Sequence, residues 1–352
     1  MTALLELQGV SRSFARAGDL IGRVRAQLAG RRVPRRVTVL HAIDLAVQPG
    51  EVLGLVGESG CGKSTLGRIV AGLLPADQGR RLWNGQDIVT LAPADARRVA
   101  LGVQMIFQDP DASLNPRRRV ADAVGEAAVV HGLVGRDDRA AYVAQLMLQV
   151  GLDPILGERF PHQFSGGQRA RIGIARALAV RPRFLVCDES VAALDVSVQA
   201  QVLNLFMDLR ERMGLTYLFI SHDLSVVNHV SDRVAVMYLG RLVELATTDE
   251  LFRTPAHPYT RALLDSVPRL QAGQASFAPL EGEIASVLAP PSGCAFHPRC
   301  PQAGTQCREH LPPLRNIGAG RAVACHRVAP PAASGTLHDL RNAAREPRQA
   351  DR

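Results

Sequence analysis

A run that reads as a buried strand, Glu51-Val52-Leu53-Gly54-Leu55-Val56, leads directly into Gly57-Glu58-Ser59-Gly60-Cys61-Gly62-Lys63-Ser64-Thr65 and then into a helical pattern from about Lys63 to Gly72. The glycine-rich segment matches G-x-x-x-x-G-K-[ST], and its place between a strand and a helix is the context that gives the pattern meaning. Glycines let backbone N–H groups converge on phosphate oxygens, and the helix that follows adds its N-terminal dipole. The backbone of Gly57, Ser59, Gly60, Cys61, Gly62 and Thr65 is therefore expected to cradle nucleotide phosphates. Lys63 is expected to reach the β- and γ-phosphates, and Ser64 to ligate Mg2+. Such a strand, loop and helix belong to an open α/β sheet, whose ligands sit at the C-terminal ends of its strands.

The rest of the chain agrees with that architecture. Phe184-Leu185-Val186-Cys187-Asp188 and Thr216-Tyr217-Leu218-Phe219-Ile220 are further apolar runs of strand length, each ending in polar residues, with helical patterns before and between them. Alternating strands and helices predict an α/β fold with a mostly parallel core sheet. Residues 4 to 14 read as a strand ending at Phe14, a polar Arg- and Gly-rich insert over roughly 15 to 36 reads as a surface loop, and Val37-Thr38-Val39-Leu40 resumes an extended pattern. Between Gln108 and Ser165, the spacing of Val143, Leu146, Met147 and Val150 predicts a helical subdomain at about 109–175. Thr247-Thr248-Asp249-Glu250 reads as a capping box, and prolines become frequent from Pro255 onward. The expected division is a nucleotide-binding domain over 1–255, an extension over 256–328 and a flexible tail over 329–352.

Composition narrows the class. No apolar run approaches the ~20 residues of a membrane helix, and the start, Met1-Thr2-Ala3-Leu4-Leu5-Glu6, lacks the basic and apolar segments of a secretory signal. A cytoplasmic protein is expected. The net charge of +8, with arginines at Arg31, Arg32, Arg35, Arg36 and at Arg117, Arg118, Arg119, suits solvated loops, an anionic membrane surface or nucleic acid.

Asp188 and Glu189 place two carboxylates at the end of a buried strand. Asp188 is expected to hold Mg2+ through water and Glu189 to polarise the attacking water, because phosphoryl transfer needs positioning and charge stabilisation above all. Phe164-Ser165-Gly166-Gly167-Gln168 precedes a strongly helical run, and a helix N-terminus with free N–H groups and a hydroxyl is built to hold an anion. Four cysteines, Cys294, Cys300, Cys307 and Cys325, lie close together near the C-terminus. In a cytosolic chain such clustering argues for a metal rather than disulfides. Thiolates suit zinc or an iron-sulfur cluster, and His297 and His326 are possible ligands in a zinc variant. Cys61 and Cys187 lie inside nucleotide motifs and read as small buried residues.

This order of motifs resembles the ATP-binding-cassette (ABC) family. The resemblance covers roughly residues 4–328 and implies an ABC-type fold with an antiparallel β subdomain and a helical subdomain beside the core sheet. It makes Gln108 the glutamine loop, which senses Mg2+ and the attacking water, and His222 the switch histidine at the γ-phosphate. It makes Ser165, Gly166, Gly167 and Gln168 the signature that closes on ATP held by another subunit, and Ala193-Leu194-Asp195 the loop that communicates across that interface. Phe14 is the candidate for stacking on adenine. The chain departs from the family in Ser190-Val191, where Pro-Thr is common, and in Phe164, where leucine is common; neither change removes a ligand or the catalytic acid.

Gln108-Asp109-Pro110, Ser113-Leu114-Asn115-Pro116 and His257-Pro258-Tyr259-Thr260 are similar to ATPase subunits of dipeptide, oligopeptide and nickel importers, in particular to the second of the two ATPase chains such importers use. That likeness implies a 4Fe-4S cluster on Cys294, Cys300, Cys307 and Cys325 in preference to zinc. It also implies a non-identical ATPase partner, two membrane permeases, an extracytoplasmic binding protein, and a peripheral place on the cytoplasmic face of the inner membrane. An ATPase acting on nucleic acid in repair or translation is the rival reading. The segment between Gln108 and Ser165 leaves no room for the long coiled coils or zinc modules of such proteins, and only one set of motifs is present, so no nucleic-acid partner is expected.

Overall fold

The computed structural model describes residues 2–15, 36–109, 113–266, 286, 288–318 and 320–328. The insert at roughly 15–36 and the tail at 329–352 fall almost wholly outside these residues, as do Arg31, Arg32 and Arg35.

Among the described residues, twelve strands form two sheets. A four-stranded antiparallel sheet in the order β2-β1-β4-β5 is made by β1 (Leu5–Ala15), β2 (Arg36–Val47), β4 (Gln78–Trp83) and β5 (Gln86–Asp87). The larger sheet contains β3 (Val52–Val56), β6 (Val103–Ile106), β7 (Phe184–Asp188), β8 (Thr216–Ile220), β9 (Arg233–Tyr238), β10 (Arg241–Thr247), β11 (Arg315–Gly318) and β12 (Arg321–Val323). Its order is β11-β12-β10-β9-β3-β8-β7-β6. The strands from β9 to β6 run parallel, with Val52 opposite Tyr217 and Leu53 opposite Arg233. Strands β10, β12 and β11 continue the sheet antiparallel. Every residue of β3, β7, β8 and β9 is buried. Such runs are continuous in the sequence because parallel strands are covered on both faces.

The glycine loop leads from β3 into α1 (Lys63–Val70), which is shorter than its sequence pattern suggests. The N-cap of α1 is Gly62 at φ 108°, a left-handed conformation, and a Cβ there would lie 2.9 Å from Leu40 Cδ2. Only glycine lets the loop pass this close to β2 without strain. The segment after β6 holds α3 (Val120–Val130) and α4 (Arg139–Gln149), which follow α2 (Pro93–Gly102) in chain order. Their buried faces join α5 (Gly166–Leu178) and α6 (Val196–Met213) in one core cluster that includes Val124, Val143, Leu146, Ile172 and Phe206. Phe164, in place of the commoner leucine, is part of that core.

The C-terminal extension is tied to the large sheet. After α7 (Leu224–Val230) and α8 (Thr248–Arg253), helix α9 (Pro258–Asp265) places Tyr259 against Tyr238 of β9, and Phe296 completes the group; ring centroids are 4.6 Å apart for the two tyrosines and 5.4 Å from each to Phe296. All three rings are fully buried. At the start of α8 the expected capping box is changed in detail. Thr247 Oγ1 accepts from Glu250 N–H, but the Glu250 carboxylate takes the Thr247 hydroxyl and not the backbone N–H. Strands β11 and β12 lie beyond Pro255 yet extend the large sheet.

Candidate active site

Four neighbouring parallel strands each end at the same edge of the sheet, and each delivers one component. Strand β3 enters the glycine loop, β6 leads to Gln108, β7 ends in Asp188 followed by Glu189, and β8 leads to His222. This is the edge where open α/β sheets bind ligands.

In the loop, Gly57 has φ 152° and a Cβ there would lie 2.1 Å from the Met237 carbonyl oxygen, so the backbone passes β9 only because no side chain is present. Lys63 is buried, and its Nζ donates to the carbonyls of Gly57 at 2.7 Å and Glu58 at 3.0 Å. The ammonium is thus held over the loop by backbone oxygens. The Ser64 hydroxyl donates to Asp188 Oδ1 at 2.9 Å. Burial raises the Asp188 carboxyl above the ordinary carboxylate range, and the Ser64 hydrogen bond opposes that shift. A hydroxyl and a carboxylate side by side fit Mg2+, which takes few protein oxygens and completes its shell with water and phosphate.

Glu189 is the focus of the remaining groups. Gln108 Nε2 donates to Glu189 Oε2 at 2.8 Å, and His222 Nδ1 lies 3.4 Å from the same oxygen. Glu189 itself has φ 47°, and its N–H donates to the Ile220 carbonyl of β8. A non-glycine residue in this region of backbone space carries strain of roughly 1–3 kcal/mol, which persists where the surroundings fix it. No local pattern in the sequence marks this conformation.

Helix α5 begins at the Ser165 motif with a capping box: Ser165 Oγ accepts from Gln168 N–H, and Gln168 Oε1 accepts from Ser165 N–H. The sequence places a hydroxyl and bare N–H groups at this helix start. In this structure the hydroxyl caps its own helix, and the N–H groups of Gly166 and Gly167 are the ones that precede the first intrahelical bond. A Cβ on Gly167 would lie 2.3 Å from Val198 Cγ1 and one on Gly166 would lie 3.7 Å from Leu194 Cδ2. The motif and the Ala193-Leu194-Asp195 loop therefore form one continuous surface, on which Val196 is 83% exposed. Asp195 caps α6 by accepting from Val198 N–H.

Phe14 lies one residue before the end of β1, opposite Val37, and is exposed, with the Arg12 guanidinium 5.1 Å from its ring centroid. The paired strand β2 also carries Val39 and Leu40, which border Gly62.

Cys294, Cys300, Cys307 and Cys325 are free thiols close enough to influence one another electrostatically. Burial, and after it the three neighbouring thiols, push Cys294 up to about 11, against a hydrogen bond from Phe296 N–H. Cys300 accepts similarly from Gln302 N–H, and Cys325 Sγ accepts from Arg327 N–H at 3.4 Å. Backbone donors to sulfur two residues on are suited to thiolate ligands, so the donor chemistry fits. However, among the described residues no group of three or more His, Cys, Asp or Glu side chains is arranged to hold a metal ion. The His297 and His326 rings are each within 3.0 Å of a backbone carbonyl, of Cys294 and His310 respectively.

Residues 40–192 match the family described as "ABC transporter", and residues 243–307 match "Oligopeptide/dipeptide transporter, C-terminal region". The oligopeptide transport ATP-binding protein AppF of Bacillus subtilis is 46% identical over 327 residues, covering 92% of this chain and 97% of AppF. The chain belongs to the ABC-transporter ATPase family. The oligopeptide transport ATP-binding protein OppF of Salmonella typhimurium is 48% identical over 303 residues, covering 84% of this chain and 90% of OppF. Among solved structures, cbiO1 from Clostridium perfringens, part of the ABC transporter complex cbiONQ, shares 25% identity with a TM-score of 0.59 and covers 72% of this chain and 92% of its own. Like other ABC ATPases, this one hydrolyses ATP in the service of a transporter. Among the described residues no helix is long and apolar enough to cross a membrane.

Sequence reasoning missed one contact at the site. Glu58, inside the phosphate loop, is bound by Arg299 and Tyr259 of the extension. The partners are 241 and 201 positions away, and no periodicity or motif links them.

Proposed function

We propose that this ATPase powers the import of di- or oligopeptides. The observation that carries the catalytic part is the convergence of Gln108 and His222 on one oxygen of Glu189, beside the Ser64–Asp188 pair. In this reading Glu189 polarises the attacking water, Gln108 and His222 orient the carboxylate and report on the γ-phosphate, and Lys63 with the loop N–H groups holds the phosphates. Ser64 and Asp188, with Gln108 nearby, hold Mg2+, which when bound neutralises phosphate charge. Phe14 stacks on adenine. Peptide as the cargo rests on the named relatives and on the C-terminal match, and the rival nucleic-acid role has no such support.

The chain works as half of a pair. Ser165, Gly166, Gly167 and Gln168 act on ATP held by a second cassette, through a surface continuous with the exposed Asp195 loop. The partner is a non-identical ATPase chain. ATP closes the pair and hydrolysis releases it, and two permeases convert that movement into alternating access. Their docking site is the glutamine loop and helical subdomain, where Phe107, Val130, Leu148 and Ile155 are exposed. The subunit thereby sits peripherally on the cytoplasmic face of the membrane, and an extracytoplasmic binding protein supplies the peptide. The division into 1–255, 256–328 and 329–352 belongs to this reading. ATP turnover with and without the permeases tests it.

The four cysteines hold a 4Fe-4S cluster in the same reading, supported by the thiol set and its backbone N–H donors. Iron and acid-labile sulfide in near-equal amounts after anaerobic purification are expected, and both should disappear in Cys300→Ser. A protein loaded with zinc alone, or with no metal, contradicts the cluster.

A further inference from the structure

Glu58 occupies the phosphate loop, yet it is held from the C-terminal extension on two sides. Its backbone N–H donates to Tyr259 Oη at 2.9 Å, and Arg299 Nη1 lies 2.9 Å from both of its carboxylate oxygens. The Arg299 side chain is 3% exposed and that of Glu58 16%, so the pair is largely withdrawn from water on the arginine side and reached by it on the carboxylate side. The aromatic group of Tyr238, Tyr259 and Phe296 is part of the same region. The Glu58 carbonyl in turn accepts from Lys63 Nζ at 3.0 Å. A continuous set of contacts therefore runs from Arg299 through Glu58 to the lysine that meets the phosphates.

Arg299 is itself placed by the cysteine segment. It closes the short 3-10 helix His297–Arg299 between Cys294 and Cys300, where His297 N–H donates to the Cys294 carbonyl and Cys300 N–H to that of His297. The conformation of this knuckle decides where the guanidinium lies.

We propose that Arg299 is a positioning residue for the phosphate loop, through which the folded state of the C-terminal cysteine segment sets the affinity of the site for ATP. The inference rests on the ATPase reading of the site but not on the identity of the cargo, or on whether the cysteines carry a metal. With Arg299 in place, Glu58 and the carbonyl that holds Lys63 keep one geometry. Without it, the loop must be ordered by the nucleotide itself, and binding weakens. Chemistry at Glu189 is left as it was.

The test uses the full chain with its permeases and partner ATPase, and Mg-ATP as the probe. Arg299→Ala and Glu58→Gln are each expected to raise the KM for ATP by about tenfold, the scale of one hydrogen bond to a charged group, with kcat at saturating ATP within about twofold. Both act on the Arg299–Glu58 pair, which Glu58→Gln strips of its negative charge and Arg299→Ala of its donor, so the double variant should be little worse than Arg299→Ala alone. Arg299→Lys, which keeps the charge but not the guanidinium, should fall between parent and Arg299→Ala. A merely structural role would lower kcat with the folded fraction and leave KM unchanged, and that result overturns the proposal. Should Arg299→Ala not fold, Glu58→Gln alone decides: an unchanged KM refutes the idea. A parent protein that fails to bind ATP would instead refute the ATPase reading.

Discussion

Replacing Glu189 by Gln lowers ATP turnover by at least ~10²-fold, the scale of one group that acts in the transition state, while ATP binding persists. The substitution keeps the shape and size of the side chain, and a glutamine oxygen at this position still accepts from Gln108 Nε2, which now lies 2.8 Å away. What is lost is the negative charge that polarises water. The groups that hold the phosphates, Lys63 and the loop backbone, are on β3 and α1, so they are unaffected by a change after β7. Turnover at saturating ATP, measured beside a nucleotide-binding titration, separates the two effects. A variant that binds ATP and turns it over at the parental rate removes Glu189 from its assigned role.

The second large effect concerns stability. Glu244 on β10 is completely buried and receives four donors: Arg321 Nη2 at 2.7 Å, Arg321 Nε at 3.2 Å, and the N–H groups of Ala256 and His257, each at 2.9 Å. One carboxylate thereby joins β10, β12 and the turn that enters α9. Glu244→Ala leaves the N–H groups of Ala256 and His257 without acceptors and the mostly buried Arg321 guanidinium with Thr254 alone and no counter-charge, and is expected to cost about 3–5 kcal/mol. The loss should appear as a lower urea midpoint with little change in slope. Removing both charges together, as in Glu244→Leu with Arg321→Met, should recover only part of it, because the two backbone donors still cost roughly 1–3 kcal/mol each. A single variant as stable as the parent would show that the extension is held by other contacts.

The nucleotide half of the site was legible in the sequence because its parts are local. The glycine loop, Asp188-Glu189, Gln108 and His222 each follow an apolar run that must be a buried strand, and a parallel sheet brings the ends of such strands to one edge. Features set by distant contacts were not legible. The left-handed backbone at Glu189 goes with its N–H bond to Ile220, 31 positions further along the chain. Arg299–Glu58 and Arg321–Glu244 join residues far apart in sequence, and each arginine taken alone resembles any other polar surface residue. The same reason hid the fact that β11 and β12, past the expected boundary, complete the cassette's sheet.

His257 illustrates how a motif can be recognised without its cause. In His257-Pro258-Tyr259-Thr260, the ring Nδ1 accepts from Tyr259 N–H to cap α9, Pro258 occupies the first turn, and burial lowers the His257 pKa to about 4. The neutral ring is the acceptor that this cap requires, and the cap delivers Tyr259 to Glu58.

The most direct measurement is ATP turnover by the purified chain alone, with its second ATPase and permeases in membranes, and with nucleic acid. The account predicts slow hydrolysis by the chain alone, because its phosphate loop waits for a signature from another cassette, and marked stimulation by the assembled transporter. Stimulation by nucleic acid with none from the permeases would contradict it.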